Sequence, residues 1–191
     1  MVFDYNSGVP VILSLLTSAV TKLRGDQVEG MFRVAALKDD VDWIRDEIKG
    51  GDYRSVMVGG LEGYDGPVVK DPIVAGDLLK SWLRALKTPL FPTDLYDRCV
   101  NAGRSGNSVQ ALGILPDLEP ANRACVEHLC GFLAVLSRSA KKTKMTASNL
   151  ALVFAPNLLK SPSDDPKVFA MHAESEKRFI TLLIEAQGGG R

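Results

Sequence analysis

The chain has 191 residues, a length that suits one domain with a hydrophobic core of its own. Hydrophobic residues make up 46% and charged residues 24%, which is typical of globular proteins and excludes a disordered chain. Lys plus Arg and Asp plus Glu both number 23, so no global basic field exists to bind nucleic acid or acidic lipid. Any electrostatic function must therefore be local.

Helical periodicity dominates the chain from its first apolar segment to its last. Apolar residues recur at helical spacing over residues 9–24, 37–49, 73–87, 93–102, 118–138, 147–154 and 168–185. Thr146 is placed to cap the sixth of these segments and Pro156 to stop it. Strand-like alternation is limited to residues 55–58 and 67–70, inside a glycine-rich loop at about 50–70. The sequence therefore predicts an all-α, single-domain fold with one irregular loop.

The cysteines and the apolar runs bear on the compartment. Cys99, Cys125 and Cys130 are odd in number and form no CxxC motif, so we expect buried free thiols in a reducing compartment. The longest apolar run is far shorter than the ~18–20 residues that a membrane span needs. No signal peptide precedes the first predicted helix. We therefore expect a cytoplasmic protein.

Motifs of self-contained enzymes are absent from the sequence. The patterns GxxxxGK[ST], HExxH and GxSxG do not occur, which excludes a Walker-type phosphate loop and two common hydrolase signatures. His128 and His172 lie in helical apolar registers, where a hydrogen-bonded core or boundary histidine is much more common than a metal ligand. We expect no metal site and no active site of the chain's own.

A single arginine stands in the link between the first two predicted helices. The link reads GDQVEGMFRVAAL, residues 25–37, and Arg33 lies in it between Phe32 and Val34. Such an arginine can cap the end of a helix or stack on the neighbouring aromatic ring. It can equally project towards a partner, and the pattern alone leaves these alternatives open.

A second basic feature lies on one predicted helix, LLKSWLRALKTPL, residues 78–90. Lys80, Arg84 and Lys87 share the face opposite its apolar residues. A basic stripe of this kind is usually solvated surface. Like charges four residues apart nevertheless repel by a few tenths of a kcal/mol, which favours a surface that meets an anionic partner.

Five segments, read together, resemble the RhoGAP domain family, whose members activate GTP hydrolysis by Rho-family small GTPases. Residues 8–13 (GVPVIL) resemble the entry into its first helix, and residues 28–37 (VEGMFRVAAL) resemble its EGIFRVSG-type motif. Residues 78–90 are similar to LLKxxLRxLPxPL, residues 115–133 (LPDLEPANRACVEHLCGFL) to LPxxNxxxLxxLxxFL, and residues 144–159 (KMTASNLALVFAPNLL) to KMTxxNLAxVFxPxLL. The segments follow the family's order over about 150 residues. The resemblance implies a helical bundle of RhoGAP type, with about seven to nine helices and a core of about 8–186 within a single domain over 1–191.

The resemblance also implies roles for individual residues. Arg33 falls at the arginine finger, the residue that enters the nucleotide pocket of the GTPase. We expect Phe32 and Val34 to anchor the link and leave Arg33 to project. Roles in GTPase binding or in support of the finger are implied for Lys80, Arg84, Asn149, Pro156 and Asn157.

The implied activity is that of a GTPase activator that acts in trans, with no cofactor of its own, because the partner holds GTP and Mg²⁺. The expected partner is a Rho-family GTPase in its GTP-bound form, and we expect a cytoplasmic monomer whose recruitment to membranes falls to regions outside this chain. A catalytically weak RhoGAP-like scaffold is the alternative, favoured less because such members often lack the finger arginine. A helical enzyme with its own active site is a third, remote alternative.

The chain departs from the family pattern at several positions. Ala35 and Ala36 stand where the family usually has Ser or Ala followed by Gly, which predicts a less supple loop. Thr143 replaces a family asparagine. These departures leave the implied site residues in place but leave the preferred GTPase open.

Overall fold

The computed structural model describes residues 8–58, 64, 66 and 68–189 of the chain. Nine α-helices are found in these residues, and the strand-like pairing among them is an isolated parallel bridge between Phe91 and Leu159. The helices are α1 Val11–Lys22, α2 Lys38–Lys49, α3 Pro72–Ala85, α4 Tyr96–Ser105, α5 Ser108–Leu112, α6 Pro120–Ser137, α7 Ala140–Thr143, α8 Ala147–Leu158 and α9 Pro166–Gly188. None of the described helices is long and apolar enough to cross a membrane.

Side-chain caps and prolines fix the start of three of the long helices. The Asp71 carboxylate accepts a hydrogen bond from the Ile73 amide at 2.8 Å, with Pro72 as the first residue of α3. Asp165 caps α9 in the same way, through the Lys167 amide at 2.8 Å. At α8 the predicted cap is confirmed, because Thr146 Oγ1 accepts from the Asn149 amide. These helices begin where their sequences supply a partner for the first free amides.

The helices pack around α9, which contacts α4, α5, α6 and α8. On the opposite side α1 packs against α3 and α6, and α3 also contacts α2 and α8. One connected hydrophobic core runs through these contacts, from Val9 to Ile184. Gly103 of α4 lies so close to α9 that a β-carbon on it would overlap the Ser175 carbonyl oxygen. The absence of a side chain at this position therefore sets the separation of α4 and α9.

The all-α prediction is confirmed, and two local predictions are wrong. Residues 55–58, predicted as an extended piece, include part of a 3₁₀ turn over Arg54–Val56. Pro156 does not stop the sixth predicted helix, because α8 continues through it to Leu158. Proline removes the one hydrogen bond that its amide would give to the Leu152 carbonyl, and Leu152 is exposed, so water can take its place. Residue 67 of the second predicted extended piece lies outside the described residues; residues 68–70 have no regular structure.

The cysteines are free and buried, as predicted. Burial raises the pKa of the Cys99 and Cys130 thiols to about 12, so both stay protonated and unreactive at neutral pH. His128 joins two helices, with Nε2 2.9 Å from Thr17 Oγ1. His128 therefore lies at the boundary between α1 and α6 and is hydrogen-bonded there, as predicted.

Candidate functional site

Arg33 lies on an irregular segment between α1 and α2, which we call the Arg33 loop (residues 28–37). The Gly30 carbonyl accepts hydrogen bonds from the amides of Arg33 and Val34 at 2.8 and 3.0 Å, which closes a tight turn. The Arg33 side chain is exposed, and a β-carbon built on Gly30 would lie 3.5 Å from its Nη2. Gly30 has a φ of +71°, a conformation that favours glycine. The turn thus presents one guanidinium group to solvent.

Phe32 anchors the loop in the core. Its side chain is 2% exposed, and its ring packs edge-on against Phe154 at 4.9 Å and Phe132 at 6.2 Å between ring centroids. Gly76 of α3 makes room for it, because a β-carbon there would lie 2.9 Å from Phe32 Cδ1. Val34 is 44% exposed, so the expectation that it shares the anchoring is wrong. The Phe32 ring is therefore packed inside the core and is not a stacking partner for Arg33.

A nearly buried ion pair on α3 holds the loop on both sides of Arg33. Lys80 Nζ donates to the Phe32 carbonyl at 2.6 Å and pairs with Asp77 Oδ1 at 2.6 Å. Asp77 Oδ2 accepts from the Ala36 amide at 2.6 Å. The Lys80 and Asp77 side chains are only 12% and 16% exposed. Lys80 therefore acts through the loop backbone, and Asp77 ties the far end of the loop to the same helix.

Arg84 lies one helical turn beyond Lys80 and is bonded to α8. Its Nη1 donates to Asn157 Oδ1 at 3.2 Å, and its Nη2 donates to Ser81 Oγ at 3.2 Å. Asn157 is 5% exposed and donates through Nδ2 to the Val153 carbonyl at 2.7 Å. Asn157 thus orients Arg84, while the guanidinium itself remains accessible from solvent.

Asn149 sits at the start of α8, on the other side of the loop. Its Nδ2 donates to the Lys144 carbonyl at 2.8 Å. The preceding carbonyl, of Thr143, accepts from the Gly30 amide at 2.7 Å. Asn149 is therefore linked through the 143–144 turn to the Arg33 loop, whereas Pro156 is exposed on α8 and makes no side-chain bond.

Backbone strain is concentrated around the loop. Among the described residues, three non-glycine residues have a positive φ: Arg24 at +61°, Phe32 at +71° and Lys144 at +59°. Phe32 lies in the Arg33 loop, and the other two lie in the turns that flank it. Such conformations cost about 1–3 kcal/mol each and persist where the surroundings over-determine them, commonly at functional sites.

The structure brings the residues singled out from the sequence together around one loop and adds two more. Arg33 is presented by the loop, Lys80 holds it, Asn149 borders it, and Arg84 with Asn157 continues the surface along α3 and α8. Asp77 and Gly76 were missed. The signal for Asp77 was its position three residues before Lys80, which places both on one helix face. In the described residues no group of three or more His, Cys, Asp or Glu side chains could hold a metal ion. The distinctive chemical group of the site is the permanently charged guanidinium of Arg33 on an exposed loop.

Comparison with known proteins adds independent information. A family model described as the RhoGAP domain matches residues 10–163. The chain is 33% identical over 187 residues to Rho GTPase-activating protein gacY of Dictyostelium discoideum, covering 95% of this chain and 24% of that protein. It is 30% identical over 179 residues to GTPase activating protein homolog 2 of the same organism, covering 93% of this chain and 19% of that protein. The chain spans about a fifth to a quarter of the length of these two relatives.

Two solved structures have a fold similar to that of this chain. The crystal structure of human Rho GTPase activating protein 15 superposes with a TM-score of 0.79 and 25% sequence identity, covering 97% of this chain and 86% of that one. The BH domain from GRAF superposes with a TM-score of 0.74, covering 92% and 90%; at 21% identity this match bears on the fold alone.

Proposed function

The chain belongs to the RhoGAP domain family, and from that premise we propose that it stimulates GTP hydrolysis by a Rho-family small GTPase, with Arg33 as the arginine finger. The observation that carries the proposal is an exposed guanidinium on a turn whose backbone is bonded on both sides to α3. In this proposal the GTPase supplies GTP, Mg²⁺ and the attacking water. The chain supplies one cation in trans and needs no cofactor of its own.

The chemistry suits arginine. In the transition state of GTP hydrolysis, negative charge builds on the oxygens of the transferred phosphoryl group and the leaving group. A guanidinium is always protonated, is planar and offers five N–H donors, so it can bond two oxygens at once. An arginine finger is typically worth about 10³–10⁵ in rate, because these bonds strengthen in the transition state.

The remaining site residues have distinct proposed roles. Lys80 and Asn149 act as positioning residues, because each is bonded to the backbone that holds the loop. Arg84, oriented by Asn157, is accessible and acts as a direct contact to the GTPase. Pro156 contributes an exposed surface on α8 beside this contact. We further propose that the chain binds the GTP-bound form of its partner, as a monomer in the cytoplasm.

Single-turnover phosphate release from a panel of GTP-loaded Rho-family GTPases tests the proposal. Arg33→Ala should slow the saturated rate about 10³-fold or more. Its affinity for a GTPase loaded with a non-hydrolysable GTP analogue should change little, because the lost bonds form mainly in the transition state. Arg33→Lys keeps the charge and should remain strongly impaired, since it loses the planar fork.

Arg104→Ala is a matched control, because Arg104 is an exposed arginine on α4, a helix that packs mainly on α5 and α9. It should leave both rate and affinity unchanged. If wild type and Arg33→Ala release phosphate at the same rate across the panel, the finger assignment fails. Retained binding in that case would indicate the scaffold alternative.

A further inference from the structure

A second concentration of positive charge borders the Arg33 loop, and the proposed function gives its cationic side chains no role. We call it the basic turn, residues 138–144, which reads RSAKKTK. It spans the end of α6, the short helix α7 and the turn into α8. Four of its seven residues are Lys or Arg and none is acidic, although the whole chain has no net charge.

The cations of the basic turn are exposed and lack acidic partners. Arg138, Lys141, Lys142 and Lys144 are all exposed, and none forms a salt bridge with an acidic side chain of the described residues. Lys142 Nζ donates to Gln27 Oε1 at 2.6 Å and Lys144 Nζ to the Lys141 carbonyl at 3.2 Å, both neutral acceptors. The positive charge of this turn is therefore directed to solvent without internal compensation.

The basic turn lies against the Arg33 loop. The Thr143 carbonyl accepts from the Gly30 amide at 2.7 Å, and Gly30 is the residue over which the Arg33 guanidinium lies. The Lys144 carbonyl accepts from Asn149 at 2.8 Å. Any protein that receives Arg33 must therefore bring its surface close to the basic turn.

Nearby acidic residues offset only part of this charge. Asp26 is the acidic residue of the adjoining 3₁₀ turn, which packs on α7, and it is paired with Arg24 at 3.2 Å. Glu29 is the acidic residue of the Arg33 loop. The face formed by the loop and the basic turn thus remains strongly positive. Exposed charges act over about 10 Å at 0.1 M salt, which is enough to influence an approaching protein.

We propose that the basic turn is an electrostatic docking surface for the GTPase itself, and that it recognises acidic side chains bordering the GTPase's nucleotide site. This inference rests on the proposed function for the identity of the partner. The basic turn orients the encounter so that Arg33 arrives at an anionic nucleotide pocket, and it takes no part in the chemical step. Complementary charges at the edge of an interface act mainly on the association rate and its salt dependence.

Association kinetics with a GTPase loaded with a non-hydrolysable GTP analogue provide the test. In the variant Arg138→Gln/Lys141→Gln two charges are lost from side chains that form no hydrogen bond or ion pair among the described residues, so the fold should be kept. At about 50 mM salt we expect association to slow by about 3- to 10-fold, and by more for Arg138→Glu/Lys141→Glu. At about 500 mM salt the variants should agree with wild type within about twofold, because exposed charges are then screened. The saturated phosphate-release rate should not change.

The matched control is Arg104→Gln/Lys167→Gln, which removes two exposed cations from α4 and α9. It should leave association unchanged, since neither residue belongs to the Arg33 loop or the basic turn and neither side chain is bonded to them among the described residues. An unchanged association rate for the basic-turn variants at low salt overturns the proposal. A slowing that persists at high salt, or that the control shares, also overturns it.

Two further measurements separate this proposal from its alternatives. Sedimentation with vesicles of phosphatidylcholine and phosphatidylserine tests whether the basic turn serves an anionic membrane instead. Vesicle binding that depends on Arg138 and Lys141, with unchanged GTPase association, would overturn the proposal. Repeating the association measurements with Arg33→Ala protein separates this proposal from the finger assignment. An unimpaired phosphate-release rate in Arg33→Ala rejects the finger. Salt-dependent association of Arg33→Ala that is lost when Arg138 and Lys141 are also changed supports the docking surface independently.

Discussion

The ion pair beneath the Arg33 loop leads to a prediction that separates positioning from binding. Asp77 accepts from the Ala36 amide through one oxygen and from Lys80 through the other, both at 2.6 Å. Lys80 in turn donates to the Phe32 carbonyl. One carboxylate thus fixes the backbone on both sides of Arg33. Asp77→Asn keeps the shape of the side chain but leaves only one oxygen able to accept, so one of the two bonds must be lost.

The expected size of the effect follows from the bonds. A hydrogen bond that involves a charged group contributes about 1.5–3 kcal/mol. If the loss appears as misplacement of Arg33 in the transition state, it corresponds to about a 10- to 100-fold lower saturated phosphate-release rate. Affinity for the ground-state complex should change by much less, since in the proposed mechanism Arg33 makes its strongest bonds only in the transition state. Lys80→Met should have an effect of similar size, and combining the two should add little, because both act through the same loop.

Single-turnover phosphate release and analogue binding, measured together with thermal unfolding, test this prediction. Asp46→Asn is the control, because Asp46 also pairs with a lysine three residues away on a helix, at 3.1 Å, but with both side chains well exposed. Exposed pairs contribute about 0–1 kcal/mol, so this variant should behave as wild type. A folded Asp77→Asn protein with a rate within twofold of wild type would refute the positioning role.

Two further predictions concern the fold. Gly103→Ala should abolish folding or lower the unfolding temperature strongly, because the new β-carbon would meet the Ser175 carbonyl of α9 and neither backbone can move without separating the two helices; a thermal melt close to that of wild type would contradict this. Stability should also fall at alkaline pH, because burial raises the pKa of Cys99 and Cys130 to about 12 from an ordinary value near 9. Burial, reinforced by a hydrogen bond to a carboxylate, raises that of Tyr96 to about 12 as well. For groups with a raised pKa the stabilisation is complete below the unfolded-state pKa and is lost as pH rises towards the folded-state value. The urea midpoint should therefore be lower at about pH 10 than at about pH 8, and equal midpoints would count against burial of these groups.

The sequence predicted helices well where periodicity and caps agreed. Apolar spacing located both ends of α1, α2, α3 and α6 to within two residues, and Thr146 marked the start of α8. The short helices α5 and α7 were missed because five and four residues are too few to show a 3.6-residue period. Residues 55–58 were misread because a short apolar alternation fits a 3₁₀ turn as well as a strand.

The candidate site could be predicted from the sequence only in part. Arg33, Lys80 and Arg84 were visible in the sequence, and the resemblance to a family gave them roles. The predicted basic helix face is wrong in part, because the Lys80 side chain is only 12% exposed and α3 ends at Ala85, before Lys87. The contacts that position them were not visible, since Ala36 and Asp77 are 41 residues apart and Phe32 and Lys80 are 48 apart. No local spacing rule relates such positions; they meet in the fold, where Phe32 packs against Gly76 of α3.

The structure also bears on Ala36, which stands where the family usually has a glycine. A glycine is needed where φ is positive, and in this loop the positive values fall at Gly30 and Phe32, not at Ala35 or Ala36. Ala36 instead holds an ordinary conformation with its amide bonded to Asp77. A glycine at this position would lose more conformational freedom on forming that bond, so alanine favours the ordered loop. The departure from the family pattern therefore agrees with the proposal that Arg33 is held in place in the free protein, because Asp77 restrains the loop from α3.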